Sequence, residues 1–77
     1  MKPETKEKIV KIIKSVVGVD ISPLDKSTKI NTISEWDSFN TLMLVSRFEE
    51  EFKMKFTAVE INNTHTIKDL FELLEKK

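Results

Sequence analysis

The sequence predicts an all-α fold, a small four-helix bundle of three main helices and one short one, with a long loop between the first and second. Apolar residues recur at helical spacing in three separate stretches of the 77-residue chain. Cap signals bracket them, with Pro3 and Gly18 around the first, Asp37-Ser38 ahead of the second and Thr66 ahead of the last. No segment alternates apolar and polar residues as a strand would, and no internal repeat is present.

Pro3 suits the first turn of a helix, where a missing N–H costs nothing, and Gly18 suits its end. Between them Ile9, Val10, Ile12, Ile13, Val16 and Val17 fall within an arc of about 160° on a helical projection. Lys8, Lys11, Lys14 and Ser15 take the other side. One face is therefore for burial and the lysines form a solvated face.

Residues 18–37 make a connection that is long for a compact domain, where loops beyond ~12–15 residues are uncommon unless functional or partly ordered. Ile21, Leu24, Ile30, Ile33 and Trp36 are expected to pin it across the bundle, and there is room for a short helical turn after Pro23. Trp36 either anchors this loop or joins an exposed surface. As a calcium loop the stretch from Asp25 to Trp36 fails. Lys29 stands at the fifth position, Ile30 replaces the glycine and Trp36 the closing glutamate.

The second helix is expected over Ser38–Phe52, with Asp37 or Ser38 as N-cap. Leu44, Val45, Phe48 and Phe52 project into a core stripe about 100° wide. Phe39 and Met43 project nearly opposite, and Leu42 lies toward them. A second apolar patch thus sits beside Ser38, either covered by the loop or open as a docking surface. Glu49, Glu50 and Glu51 are expected to be solvated. After a break at residues 53–55, with Phe56 buried, residues 57–61 can form a short helix capped by Thr57. Thr66-Ile67-Lys68-Asp69 resembles a capping box with Asp in place of Glu. Ile67, Leu70, Phe71 and Leu74 then mark a last helix over Ile67–Lys76. The chain reads as one domain, residues 1–77.

Composition excludes several functions. Thirteen basic and thirteen acidic residues cancel, so nothing favours nucleic acid, and an acidic second helix argues against a DNA-binding helix-turn-helix. There is no cysteine, one glycine and a single histidine, His65, incidental in its loop. A nucleophile–base pair, a zinc site and a glycine-rich phosphate cradle all lack their parts. The chain is not expected to be an enzyme or to bind a metal. Lys11 and Lys14 interrupt the first apolar run, leaving no signal peptide and no membrane insertion, so a cytoplasmic monomer is expected.

Ser38 carries the functional expectation. Asp37 could cap the helix alone and leave the serine hydroxyl free. A phosphate ester there would gain about 0.3–1 kcal/mol from the helix end. Trp36-Asp37-Ser38-Phe39, followed by Leu42, Leu44-Val45, Phe48 and Glu49-Glu50-Glu51-Phe52, resembles the acyl carrier proteins, and the likeness extends over the helix layout of nearly the whole chain. The resemblance implies a covalent 4′-phosphopantetheine arm on Ser38, installed from coenzyme A by a phosphopantetheinyl transferase. Its thiol would hold an acyl or aminoacyl group as a thioester, supplied by a loading enzyme and passed to an acyltransferase or synthase. It also implies motif and partner-recognition roles for Asp37, Phe39, Leu42, Met43, Glu49 and Glu50.

This chain departs from the fatty-acid-synthesis form of that family. Glu35 replaces a glycine, Phe39 a leucine, Asn40 and Met43 acids, and Arg47 a small residue. The Trp-Asp-Ser version is similar to D-alanyl carriers and stand-alone carriers of specialised pathways, which is the expectation here. The alternative is a non-catalytic helical interaction module of the same fold with an unmodified serine.

Overall fold

The computed structural model describes residues 2–76; Met1 and Lys77, the outer bounds of the expected domain, lie outside the described residues. The chain forms α1 (Pro3–Val17), α2 (Ser38–Phe52), α3 (Ala58–Asn62) and α4 (Ile67–Lys76), with one 3-10 turn, Ile30–Thr32, inside the long loop. The all-α class and the four helices agree with the sequence reading.

Each helix end follows from local chemistry. Gly18 takes the left-handed conformation (φ 84°) and donates its N–H to the Lys14 carbonyl at 2.9 Å. Lys53 ends α2 in the same left-handed region (φ 52°), which a side chain disfavours. At α3 the Thr57 hydroxyl accepts from the Glu60 N–H while the Glu60 carboxylate accepts from the Thr57 N–H. At α4 the same reciprocal pair forms between Thr66 and Asp69, both bonds at 3.1 Å, and Asp69 also accepts from the His65 N–H.

The core is built from one face of each long helix. Ile9, Ile12, Ile13 and Val17 of α1 meet Leu44 and Phe48 of α2 and Ile67, Leu70 and Leu74 of α4. Val10 and Val16, at the margins of the projected arc, are only half-buried. Full burial of such a side chain contributes about 1.5–3 kcal/mol. No polar or charged side chain is buried among the described residues. A Lys8–Glu51 ion pair at 3.2 Å bridges α1 and α2 on the exposed side.

The long loop is held more firmly than its composition suggests. Ile21 and Trp36 enter the core, Ile30 and Ile33 pack against it, but Leu24 stays exposed. After Pro23 the chain makes a single turn, with the Thr28 N–H donating to the Asp25 carbonyl at 3.0 Å, and no helix. The Asp20 and Asp25 carboxylates instead accept the N–H groups of Ser22 and Ser27, making side-chain turns that compete with helix. The one helical turn lies further on, at Ile30–Thr32.

Backbone bonds then fasten the loop to the start of α4. Ile30 N–H donates to the His65 carbonyl at 2.8 Å, and Lys29 and Thr66 form an isolated antiparallel bridge. Ile67 and Lys68 donate their N–H groups to the carbonyls of Thr28 and Lys26. Those donors belong to the first turn of α4 and have no acceptor within the helix. The loop supplies one.

Candidate functional site

The site is built at the head of α2. Asp37 is extended (φ −97°, ψ −177°), and its Oδ1 accepts the Asn40 N–H at 2.8 Å. Capping therefore falls to Asp37. The Thr41 hydroxyl donates to the Asp37 carbonyl at 3.0 Å, and the Asn40 side-chain amide donates to the Glu35 carbonyl at 2.8 Å. These bonds lock the turn that carries Ser38. Trp36, 7% exposed, anchors the turn in the core, which decides between its two expected roles. Beside it, donation from the Ser34 hydroxyl holds the Glu35 carboxyl below its ordinary range.

Ser38 itself is exposed, and its hydroxyl has no hydrogen-bond partner among the described residues. It lines an open depression of about 660 Å³, whose walls include Asp37, Lys29, Asn31, Thr64 and His65. His65, set aside from sequence as incidental, is thus brought onto the same surface as Ser38 by the loop–α4 tie. Behind the depression lies a small apolar cavity of about 70 Å³ between α2, α3 and α4, walled by Leu44, Phe48, Phe56 and Leu73. Trp36, Ile30, Thr41 and Thr64 line both spaces and form the partition between them.

The apolar patch on α2 is open, not covered by the loop. Phe39 is 61% exposed, Leu42 66% and Met43 44%. Val59 on α3 adds a further exposed apolar side chain, at 68%. A five-residue helix is too short to show a periodic face, so nothing in the sequence marked Val59 out.

The three glutamates at the end of α2 are not equivalent. Glu49 is half-buried and its carboxylate accepts the Phe56 N–H at 2.9 Å, closing the turn between α2 and α3. Its expected solvated state gives way to this internal bond. Glu51 pairs with Lys8, and Glu50 is exposed without a partner among the described residues. No cluster of three or more metal-ligating side chains occurs among the described residues. Among the described residues no helix is long and apolar enough to cross a membrane.

Comparison with known proteins adds to this geometry. The family model for the phosphopantetheine attachment site matches residues 7–74. The chain is 33% identical over 76 residues to the chloroplastic acyl carrier protein 1 of Casuarina glauca, covering 97% of this chain and 55% of that protein. It is 31% identical over 70 residues to the acyl carrier protein of Thermotoga maritima, covering 91% of this chain and 86% of that one. The chain spans about half of the plastid relative and most of the bacterial one. The crystal structure of the Thermotoga maritima acyl carrier protein matches with a TM-score of 0.79 at 28% identity, over 96% of this chain and 86% of that one.

Proposed function

Because this chain belongs to the acyl carrier protein family, whose members carry covalent 4′-phosphopantetheine, we propose that Ser38 is the residue that bears the arm. One observation carries this most directly. Asp37 does the capping, so the Ser38 hydroxyl is exposed and unpartnered at the end of a rigid helix. A bond forms between the Ser38 oxygen and the phosphorus next to the pantetheine of coenzyme A. The phosphoanhydride bond breaks, the nucleotide portion leaves, and the hydroxyl proton passes to a base on the transferase.

The arm's thiol then holds an acyl or aminoacyl group as a thioester, which explains how a chain without cysteine can carry cargo. The protein acts as a carrier and not as a catalyst. Tethering raises the effective concentration of the cargo at a docked enzyme. Residues 1–77 form one carrier domain, working as a cytoplasmic monomer.

Phe39, Leu42 and Met43 offer the transferase, the loading enzyme and the downstream acyltransferase or synthase an apolar grip beside Ser38, with Asp37 fixing the turn. Glu50 is the acid on this helix open to a partner, while Glu49 supports the surface from within. The first turn of α2 holds no acidic residue. That supports service in a specialised pathway over the central fatty-acid synthase.

Incubation with coenzyme A and a broad-specificity phosphopantetheinyl transferase should raise the intact mass by one phosphopantetheine, and Ser38→Ala should abolish the gain. No gain with several transferases would favour an interaction module with an unmodified serine.

A further inference from the structure

Resting on Ser38 as the attachment point, we infer that Lys29 and His65 form a seat for the phosphodiester at the root of the arm. The phosphate would be bonded directly to the Ser38 oxygen, and Ser38 lines the open depression, which places the mouth of that depression within its reach. Lys29 and His65 are the basic residues among those lining that depression. They come from segments far apart in sequence and are held side by side by the Lys29–Thr66 bridge and the bond from the Ile30 N–H to the His65 carbonyl. The Lys29 ammonium is exposed and has no hydrogen bond or ion pair among the described residues.

Asp37 lines the same depression, Asp69 and Glu60 lie beyond it, and each keeps its charge while held by backbone N–H groups. Asp37 accepts from the Asn40 N–H. Asp69, on α4 beyond His65, accepts from the N–H groups of His65 and Thr66, with the imidazole adding attraction when charged. Glu60 on α3 accepts from the Thr57 N–H. A phosphodiester keeps one negative charge at every pH where the fold is stable. It therefore attracts Lys29 throughout and His65 once protonated, and the attraction persists over a Debye length of about 8 Å at physiological salt.

The test follows the imidazole of His65 by proton–carbon NMR and the phosphodiester by phosphorus NMR, in the apo and the transferase-modified protein. Modification should raise the His65 titration midpoint. The phosphorus resonance should shift with that same midpoint, and in His65→Gln this pH-dependent shift should vanish. Lys29→Gln, checked for folding by circular dichroism, should raise the His65 midpoint in the holo protein further by removing a competing cation. An unchanged His65 midpoint together with a flat phosphorus titration in protein of the correct holo mass overturns the seat and leaves the attachment point standing. Absence of any mass gain overturns the attachment point and the seat with it.

Discussion

Asp37 Oδ1 lies 2.8 Å from the Asn40 backbone nitrogen, and that bond leaves the Ser38 hydroxyl without a hydrogen-bond partner among the described residues at the head of α2. Loss of an N-cap costs about 0.5–2 kcal/mol, because a first-turn N–H loses its acceptor. In Asp37→Ala the Ser38 hydroxyl is the nearest replacement cap. Two effects are expected together: a lower urea midpoint and slower phosphopantetheinylation. Asp37→Asn keeps an acceptor oxygen and should retain most of the stability. Equal stability of Asp37→Ala and wild type would show that the cap matters little.

Phe39 is the test of the open face. At 61% exposed it contributes little to the core, and an acidic side chain in the first turn of a helix is tolerated or mildly favoured. Phe39→Asp should keep the helical circular-dichroism signal and the urea midpoint while lowering the rate of modification or of cargo transfer severalfold. Unfolding of this variant would mean that Phe39 is structural.

The features legible from sequence are those with a side-chain signature. Ile9 and Ile13 recur at helical spacing and are both fully buried; Thr66 and Asp69 spell a capping box and form one. The Asp37-Ser38 pair and the outward patch of Phe39, Leu42 and Met43 came from the same logic of caps and projection. What escaped was carried by the backbone or by long-range contact. The bond from the Ile30 N–H to the His65 carbonyl depends on no particular side chain, so neither Lys29 nor His65 looked connected to Ser38. Glu49 reads like its neighbours Glu50 and Glu51 until the Phe56 N–H arrives from the next segment. The stretch after Pro23 makes one turn and no helix, with the Asp20 and Asp25 carboxylates binding the backbone locally.

Acid should loosen the loop–α4 junction. The N–H groups of His65 and Thr66 hold the Asp69 carboxyl below its ordinary value. A carboxyl whose pKa is depressed by folding contributes stability above its unfolded pKa and loses it as pH falls through the folded value. Urea midpoints should therefore decline on acidification below the usual aspartate range, and Asp69→Asn should reduce that decline. Asp20 and Asp25 are lowered in the same way by Ser22 and Ser27, so they add to the slope without touching α4. A decline of identical size in Asp69→Asn would assign the acid sensitivity elsewhere.

The two left-handed helix ends predict opposite responses to substitution. Gly18 has no atom within 4 Å of where a Cβ would sit, so Gly18→Ala meets no clash. Its penalty is conformational, about 1 kcal/mol for forcing a side chain into φ 84°. Lys53 already bears that penalty at φ 52°. Lys53→Gly relieves it but gives the unfolded chain more freedom, leaving a net gain of roughly 0.5 kcal/mol. Urea titration should show the midpoint falling for Gly18→Ala and rising for Lys53→Gly. Because α2 ends where Glu49 accepts the Phe56 N–H, a stronger stop at residue 53 should also slow hydrogen exchange at the Phe56 amide. If both variants lose stability, the Lys53 side chain makes a compensating contribution and its left-handed backbone is not the dominant cost.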